Sequence, residues 1–261
     1  MPARLRCAYV DLDETLLGAG ASLLRDGDGD FSLLGARALE ACARADVELV
    51  IYSGRRRSSL WHDARLLGVR SYAFEAGAGL VLDGELHWLA GPYEPRDDAT
   101  IFDQIGATGA PALLLERFDL VYHDPWHLDR EVSHLFRGIA DTAEAENLLR
   151  QAGHEDLRLL DNGASDRPPD RVYHLVPRAA SKAGAVAFHM RARGYAPEEC
   201  IAVGDSREDM GAAEAVGTFW LVANADEALL ATAPRNVRAC DESYGAGVYE
   251  AVMTELAERR S

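Results

Sequence analysis

Four short apolar runs in this chain each stop at a polar side chain of a particular kind. Residues 5–10 end at Asp11 and Asp13, residues 47–52 at Ser53, residues 69–74 at Glu75, and residues 200–203 at Asp205. Runs this short, bounded by turn residues, read as buried strands. Stretches with apolar residues at helical spacing lie between them, over residues 33–45, 58–67 and 181–193, and further helices are expected at 209–216, 226–231 and 248–259. Strands alternating with helices predict the α/β class, with a Rossmann-like parallel sheet covered on both faces. Ligands bind such sheets at the carboxyl ends of the strands, so the polar residues named above should share one edge.

Asp11 and Asp13 flank Leu12 in the stretch Asp11-Leu12-Asp13-Glu14-Thr15. Alternation along an extended segment points both carboxylates the same way. Two carboxylates side by side repel unless a cation or a proton stands between them. Ser53-Gly54-Arg55 puts a hydroxyl and free backbone N–H groups at a strand end before a helix, which makes an anion seat; Ser58 reads as that helix's N-cap. The chain has 27 basic residues, and one of them, Lys182, is a lysine. A compact ammonium on a flexible stem is not replaced by a planar guanidinium in a tight phosphate pocket. Carboxylates gathered with a hydroxyl and an ammonium suit a hard cation, and Mg²⁺ takes carboxylates, waters and phosphate oxygens.

The texture changes between residues 90 and 178, where the apolar pattern is patchier. Strands at 120–122, 132–136, 157–160 and 172–176, interleaved with helices, suggest a small α+β module. The expected division is a core of residues 1–89 and 179–261 with an inserted unit of residues 90–178. His123 and His127 lie four apart, but Pro125 between them argues against a helix and for a loop. Asp26-Gly27-Asp28-Gly29-Asp30 lacks the glycine and glutamate spacing of a calcium loop and reads as a turn.

Composition excludes several functions. A net charge of −16 opposes binding to a phosphate backbone, and Arg55-Arg56-Arg57 is too short to reverse it. No apolar run reaches membrane length and no signal-peptide core precedes the first strand, so a cytoplasmic protein without membrane contact is expected. Cys7, Cys42, Cys200 and Cys240 lie far apart with no Cys-x-x-Cys pair, which disfavours zinc or a redox motif. Cys7 and Cys200 read as small core residues.

Asp11-Leu12-Asp13-Glu14-Thr15, then Ser53, then Lys182, then Gly204-Asp205-Ser206-Arg207-Glu208-Asp209 resemble, in that order, the four motifs of the haloacid dehalogenase superfamily. The insertion between the second and third motifs resembles that family's C2-type cap, and Gly245-Ala246-Gly247-Val248 resembles the tail of its sugar-phosphate phosphatases. The resemblance implies a Mg²⁺-dependent phosphomonoesterase that works through an aspartyl-phosphate on a small phosphorylated metabolite, a sugar or sugar-like phosphate. It assigns Asp11 as nucleophile and Asp13 as general acid and base. Asp11, the Asp13 carbonyl, Asp205 and Asp209 would hold the metal, and Ser53, Gly54 and Lys182 the phosphoryl group. Arg55, Glu75, His134, Arg137, His174 and Arg178 are the substrate-side candidates. Departures are Glu14 where many members have Gly, Glu208 where Asn is common, and Ala76 where Asn often stands. A phosphomutase of the same fold, or a non-catalytic phospho-acceptor or binding module, is the alternative. The remaining expectation is a monomer or homodimer with no nucleic-acid partner.

Overall fold

The computed structural model describes residues 3–165 and 167–259. Its main sheet has eight strands in the order β12-β11-β10-β1-β2-β3-β4-β5. β1 (Cys7–Val10), β2 (Glu48–Tyr52) and β3 (Ser71–Phe74) run parallel on one side of the centre. β10 (Cys200–Gly204), β11 (Thr218–Leu221) and β12 (Val237–Ala239) run parallel on the other. β4 (Gly79–Leu82) and β5 (Glu85–Trp88) add an antiparallel hairpin. Its turn is Asp83-Gly84, both with positive φ, as a two-residue hairpin requires.

The two-residue period of the strands sorts their side chains between two cores. Ala8 and Val10 of β1 join Ile51 on one face, where α1 (Leu34–Arg44), α2 (Arg57–Leu67) and α8 (Tyr244–Glu258) pack. Cys7 and Tyr9 join Val50, Tyr52 and Cys200 on the other, against α6 (Lys182–Arg193). Every residue of β1 is buried, as expected of a central parallel strand. α6 starts where the Ser181 hydroxyl accepts a hydrogen bond from Gly184 N at 2.9 Å, and it stops at Gly194 with φ 65. That cap fixes Lys182 as the first helical residue.

Between β5 and α6 the chain builds a second, four-stranded antiparallel sheet, β6-β7-β9-β8. Its strands are β6 (Asp119–Tyr122), β7 (His134–Ile139), β8 (Leu157–Ala164) and β9 (Arg171–Pro177). α3 (Ile101–Ala107), α4 (Ala110–Arg117) and α5 (Thr142–Gln151) accompany it. Ile105, Leu114, Phe136, Leu149 and Leu175 belong to its own core. Burying such side chains stabilises the unit by about 1.5–3 kcal/mol each.

Several local expectations are corrected. The residue flanking α2 is Arg56, with no side-chain cap, so Ser58 is not the N-cap. The expected helix at 209–216 is the short α7 (Arg207–Met210) followed by a 3-10 turn, Gly211–Glu214. The expected helix at 226–231 is also 3-10, Glu227–Thr232. α8 begins at Tyr244 rather than 248. Its opening glycines permit a close crossing with α1: a Cβ on Gly245 would stand 2.8 Å from the Gly35 Cα.

Candidate active site

β1 delivers Asp11 to the carboxyl edge of the main sheet with its side chain buried, and leaves Asp13 two residues on at the surface. Glu14 bends the chain away in the left-handed region, φ 61, a conformation that favours glycine. Thr15 is buried and donates to Asp205 Oδ1 at 2.7 Å, which ties this loop to the end of β10. Asp209 comes from α7. Its Oδ2 accepts from Ser206 N at 3.0 Å and from the Ser206 hydroxyl at 2.5 Å. Gly204 makes room for it, since a Cβ there would stand 2.3 Å from the Asp209 Cβ.

Lys182 sits among these carboxylates. Its Nζ lies 2.8 Å from Asp11 Oδ1 and 2.5 Å from Asp209 Oδ1, and all three side chains are buried. Burial acts to lower the ammonium's pKa, but Asp11 and Asp209 outweigh it and hold the group charged. Burial pushes the Asp11 carboxyl well above the ordinary carboxylate range, with Lys182 pulling it back and Asp209 and Asp205 reinforcing the rise. Asp205 is raised to about 7, by burial first and by Asp209 next. One ammonium thus faces three carboxylates, which leaves the cluster short of positive charge.

That deficit is the test of the metal expectation. Carboxylate oxygens of Asp11, Asp205 and Asp209 all lie within 4.8 Å of one another, and an all-oxygen donor set suits Mg²⁺. The residues fit the ion. The Asp13 carboxylate is not part of this set; Arg55 holds it instead, Nε to Oδ2 at 2.8 Å and Nη2 to Oδ1 at 2.6 Å.

The cluster opens into a cavity of about 620 Å³ between the two sheets. Ser53, Gly54 and Arg55 line its core side together with Asp11, Asp13 and Lys182. The Ser53 hydroxyl accepts from Arg55 N at 3.2 Å. A Cβ on Gly54 would stand 3.0 Å from His174 Nε2, so the glycine lets the two walls approach. The facing wall comes from the four-stranded unit, with Trp126, Arg130, Leu135, Asn162 and His174. Arg130 is anchored by the carbonyls of Trp126 (2.9 Å) and Gly54 (3.1 Å) and by the Ser133 hydroxyl (2.9 Å). His174 stays neutral: burial lowers its pKa well below the usual range, and Arg130 and Lys182 add to the effect.

The structure brings Arg55 and His174 into the cavity but not the other four substrate-side candidates. Glu75 is fully buried and reaches into the inserted unit, where it accepts from the backbone N–H groups of Glu131 (2.9 Å), Val132 (3.1 Å) and Ser133 (2.6 Å). It also accepts from the Ser133 hydroxyl at 2.8 Å. His134 points the other way, stacked on Phe102 at 3.9 Å with Nε2 on the Phe102 carbonyl. Arg137 lies beyond the cavity and pairs with Asp170 at 2.8 Å. Arg178 is spent on Glu146 and on the carbonyls of Glu155 and Leu157. Sequence reasoning missed Arg130 and Asn162, which carry no signal beyond being polar. It passed over Trp126 because the segment 123–127 read as a plain loop. Glu208, at a departure from the family pattern, pairs with Arg158 of β8 at 2.9 Å and links the two units.

A parallel sheet with acidic groups at its carboxyl edge and an inserted unit opposite them defines a hydrolase architecture with a known counterpart. The chain matches the haloacid dehalogenase-like hydrolases over residues 116–252, and it belongs to that family. A phosphoglycolate phosphatase of Methanoculleus marisnigri is 35% identical over 112 residues, a stretch covering 43% of each chain. This chain therefore aligns with less than half the length of that relative. Among solved structures, the sucrose-phosphatase of Synechocystis sp. PCC6803, in complex with sucrose and phosphate, superposes with a TM-score of 0.70 at 16% identity, over 97% of this chain and 98% of that one. A phosphatase of the haloalkanoate superfamily from Bacteroides thetaiotaomicron gives 0.69 at 16% identity, over 97% and 95%. Among the described residues no helix is long and apolar enough to cross a membrane.

Proposed function

We propose that the chain is a metal-dependent phosphomonoesterase acting through an aspartyl-phosphate on a small phosphorylated metabolite. The observation that carries this reading is the buried pair of Asp11 and Lys182 at the mouth of a cavity that the inserted unit closes. Asp11 attacks phosphorus, forming an O–P bond as the bond to the leaving oxygen breaks. Asp13, two residues on, gives that oxygen a proton. It then takes one from the water whose oxygen replaces Asp11 on phosphorus. Lys182 holds Asp11 in place, and it and Ser53 stand where they can meet the phosphoryl oxygens. A Mg²⁺ held by Asp11, Asp205 and Asp209 would supply the positive charge that an anion needs to approach a phosphate dianion.

Residues 90–178 act in this reading as the substrate-selecting cap. Its wall of Arg130, Asn162 and His174 offers polar contacts within a cavity sized for a sugar or sugar-like phosphate. The test is phosphate release from a panel of sugar, polyol, glycerate, glycolate and nucleotide phosphates, with Mg²⁺, with chelator, and with Asp11→Asn. Release that needs metal and vanishes in Asp11→Asn is the expected result. No release from any compound by folded, Mg²⁺-loaded protein would overturn it and favour a mutase or a phospho-acceptor.

A further inference from the structure

The opposite end of the main sheet carries a second group of side chains with ligand chemistry. Cys7 opens β1, Glu48 opens the neighbouring β2 in register with it, and His189 reaches them from α6. A sulfur, a carboxylate oxygen and a ring nitrogen from these three residues lie within 4.8 Å of one another. Cys7 and His189 are fully buried, at 0% exposure, and Glu48 is partly so.

His189 is the informative member. Its Nδ1 lies 2.8 Å from the Tyr9 hydroxyl, but Nε2, in the same buried ring, makes no hydrogen bond. A buried ring nitrogen that makes no hydrogen bond is unusual and costly. Nε2 stands 3.4 Å from Glu48 Oε1, outside hydrogen-bonding geometry. Two donors on one tetrahedral ion, each about 2.1 Å from it, stand about 3.4 Å apart. In the tautomer protonated at Nδ1, the ring donates to the Tyr9 hydroxyl and presents a lone pair at Nε2.

We propose that Cys7, Glu48 and His189 form a site for a thiophilic divalent cation, with Zn²⁺ as the best fit, separate from the Asp11 cluster. Mixed sulfur, nitrogen and oxygen donors suit zinc, whereas Mg²⁺ and Ca²⁺ take oxygen. Cys200 pairs in register with Cys7 on the same face and is the next donor within reach. Glu48 also accepts from Arg193, Tyr195 and Ser71, and the ion would share the carboxylate with them. With Arg6, Arg193 and Tyr195, Glu48 lines a second cavity of about 610 Å³, which leaves the carboxylate side of the group open to solvent. Binding forms a metal–sulfur bond and releases the Cys7 thiol proton to water, with no change of oxidation state. The ion would tie β1, β2 and α6 together. The spacing of the cysteines along the chain hid this arrangement, since its ligands come from three separate elements.

The experiment is titration of the full, chelator-stripped chain with Co²⁺ and then Zn²⁺. One equivalent of Co²⁺ should give a near-ultraviolet thiolate charge-transfer band that Zn²⁺ displaces and excess Mg²⁺ does not. Cys7→Ser should abolish the band, and both Cys7→Ser and His189→Asn should weaken Zn²⁺ binding at least tenfold in chelator competition. Cys42→Ser and Asp209→Asn should keep band and affinity. Absence of the band in the wild type, its survival in Cys7→Ser, or its loss in Asp209→Asn would each overturn the proposal. The wild-type band and His189→Asn decide the matter if Cys7→Ser does not fold.

Discussion

Arg55 closes on Asp13 with two parallel hydrogen bonds, at 2.8 and 2.6 Å, while a third guanidinium nitrogen holds Asp63 at 2.8 Å. Asp13 is half exposed, so the pair contributes little as a surface salt bridge. In the proposed mechanism its value is orientation, because it holds Asp13, the residue assigned the acid–base role, at the cavity. Arg55→Ala should lower kcat at least tenfold on a small aryl phosphate, with a smaller change in KM. Arg55→Lys should recover little, since a point charge cannot make two parallel bonds. Steady-state kinetics of the three proteins are the check, and an unchanged kcat in Arg55→Ala would reduce the pair to a surface contact.

Lys182 compensates two buried carboxylates at once. Lys182→Ala leaves them facing each other without a counter-charge, and breaking a buried pair by removing one partner costs about 3–5 kcal/mol. The variant should be inactive and less stable by that order in chelator. Mg²⁺ should return part of the loss. Denaturant unfolding with and without Mg²⁺ measures both effects, and equal stability of variant and wild type in chelator would contradict them.

Two histidines make the inserted unit sensitive to acid. Burial lowers His134 to about 4, and His174 lies well below the usual range. Below about pH 6.5 the unfolded chain binds a proton at each position and the folded chain does not. Stability is therefore full above pH 6.5 and falls as pH drops towards 4, by roughly 1.4 kcal/mol per pH unit for each such histidine. His134→Gln should flatten the slope by one proton between pH 6 and 4.5. Urea unfolding across that range reports it, and an unaltered slope would refute the assignment.

Glu75 belongs to the main sheet's edge yet carries four hydrogen bonds from residues 131–133. Glu75→Ala would leave three backbone donors without partners, and the two buried ones, of Val132 and Ser133, cost about 1–3 kcal/mol each. Hydrogen exchange at Glu131, Val132 and Ser133 should accelerate by at least tenfold in the variant while β1 and β10 stay protected. Unchanged exchange there would show that other contacts hold the units together.

The parts of the site that stand at strand ends were legible in the sequence. A buried strand announces itself by an apolar run, and the polar residue that ends it must lie at the sheet's edge. This placed Asp11, Ser53, Glu75 and Asp205 at one edge, and the helix read over 181–193 placed Lys182 at its start. What a residue at that edge touches was not legible. Glu75 is placed correctly along the chain but turned towards the inserted unit. Arg137 and Arg178 have long side chains whose partners, Asp170 and Glu146, are chosen by how β7 and α5 pack. His134 and Leu135 alternate across one strand, and the sequence did not say which of them faces the cavity. β12, a three-residue edge strand, is too short to show a pattern.

Lys182 has a consequence for handling the protein. It is the chain's one side-chain amine and is 3% exposed, locked between Asp11 and Asp209. Acylating reagents that decorate lysines at random on most proteins have no accessible side chain to modify here. Conjugation to a dye, a bead or biotin through amine chemistry should therefore spare the cavity and leave activity intact.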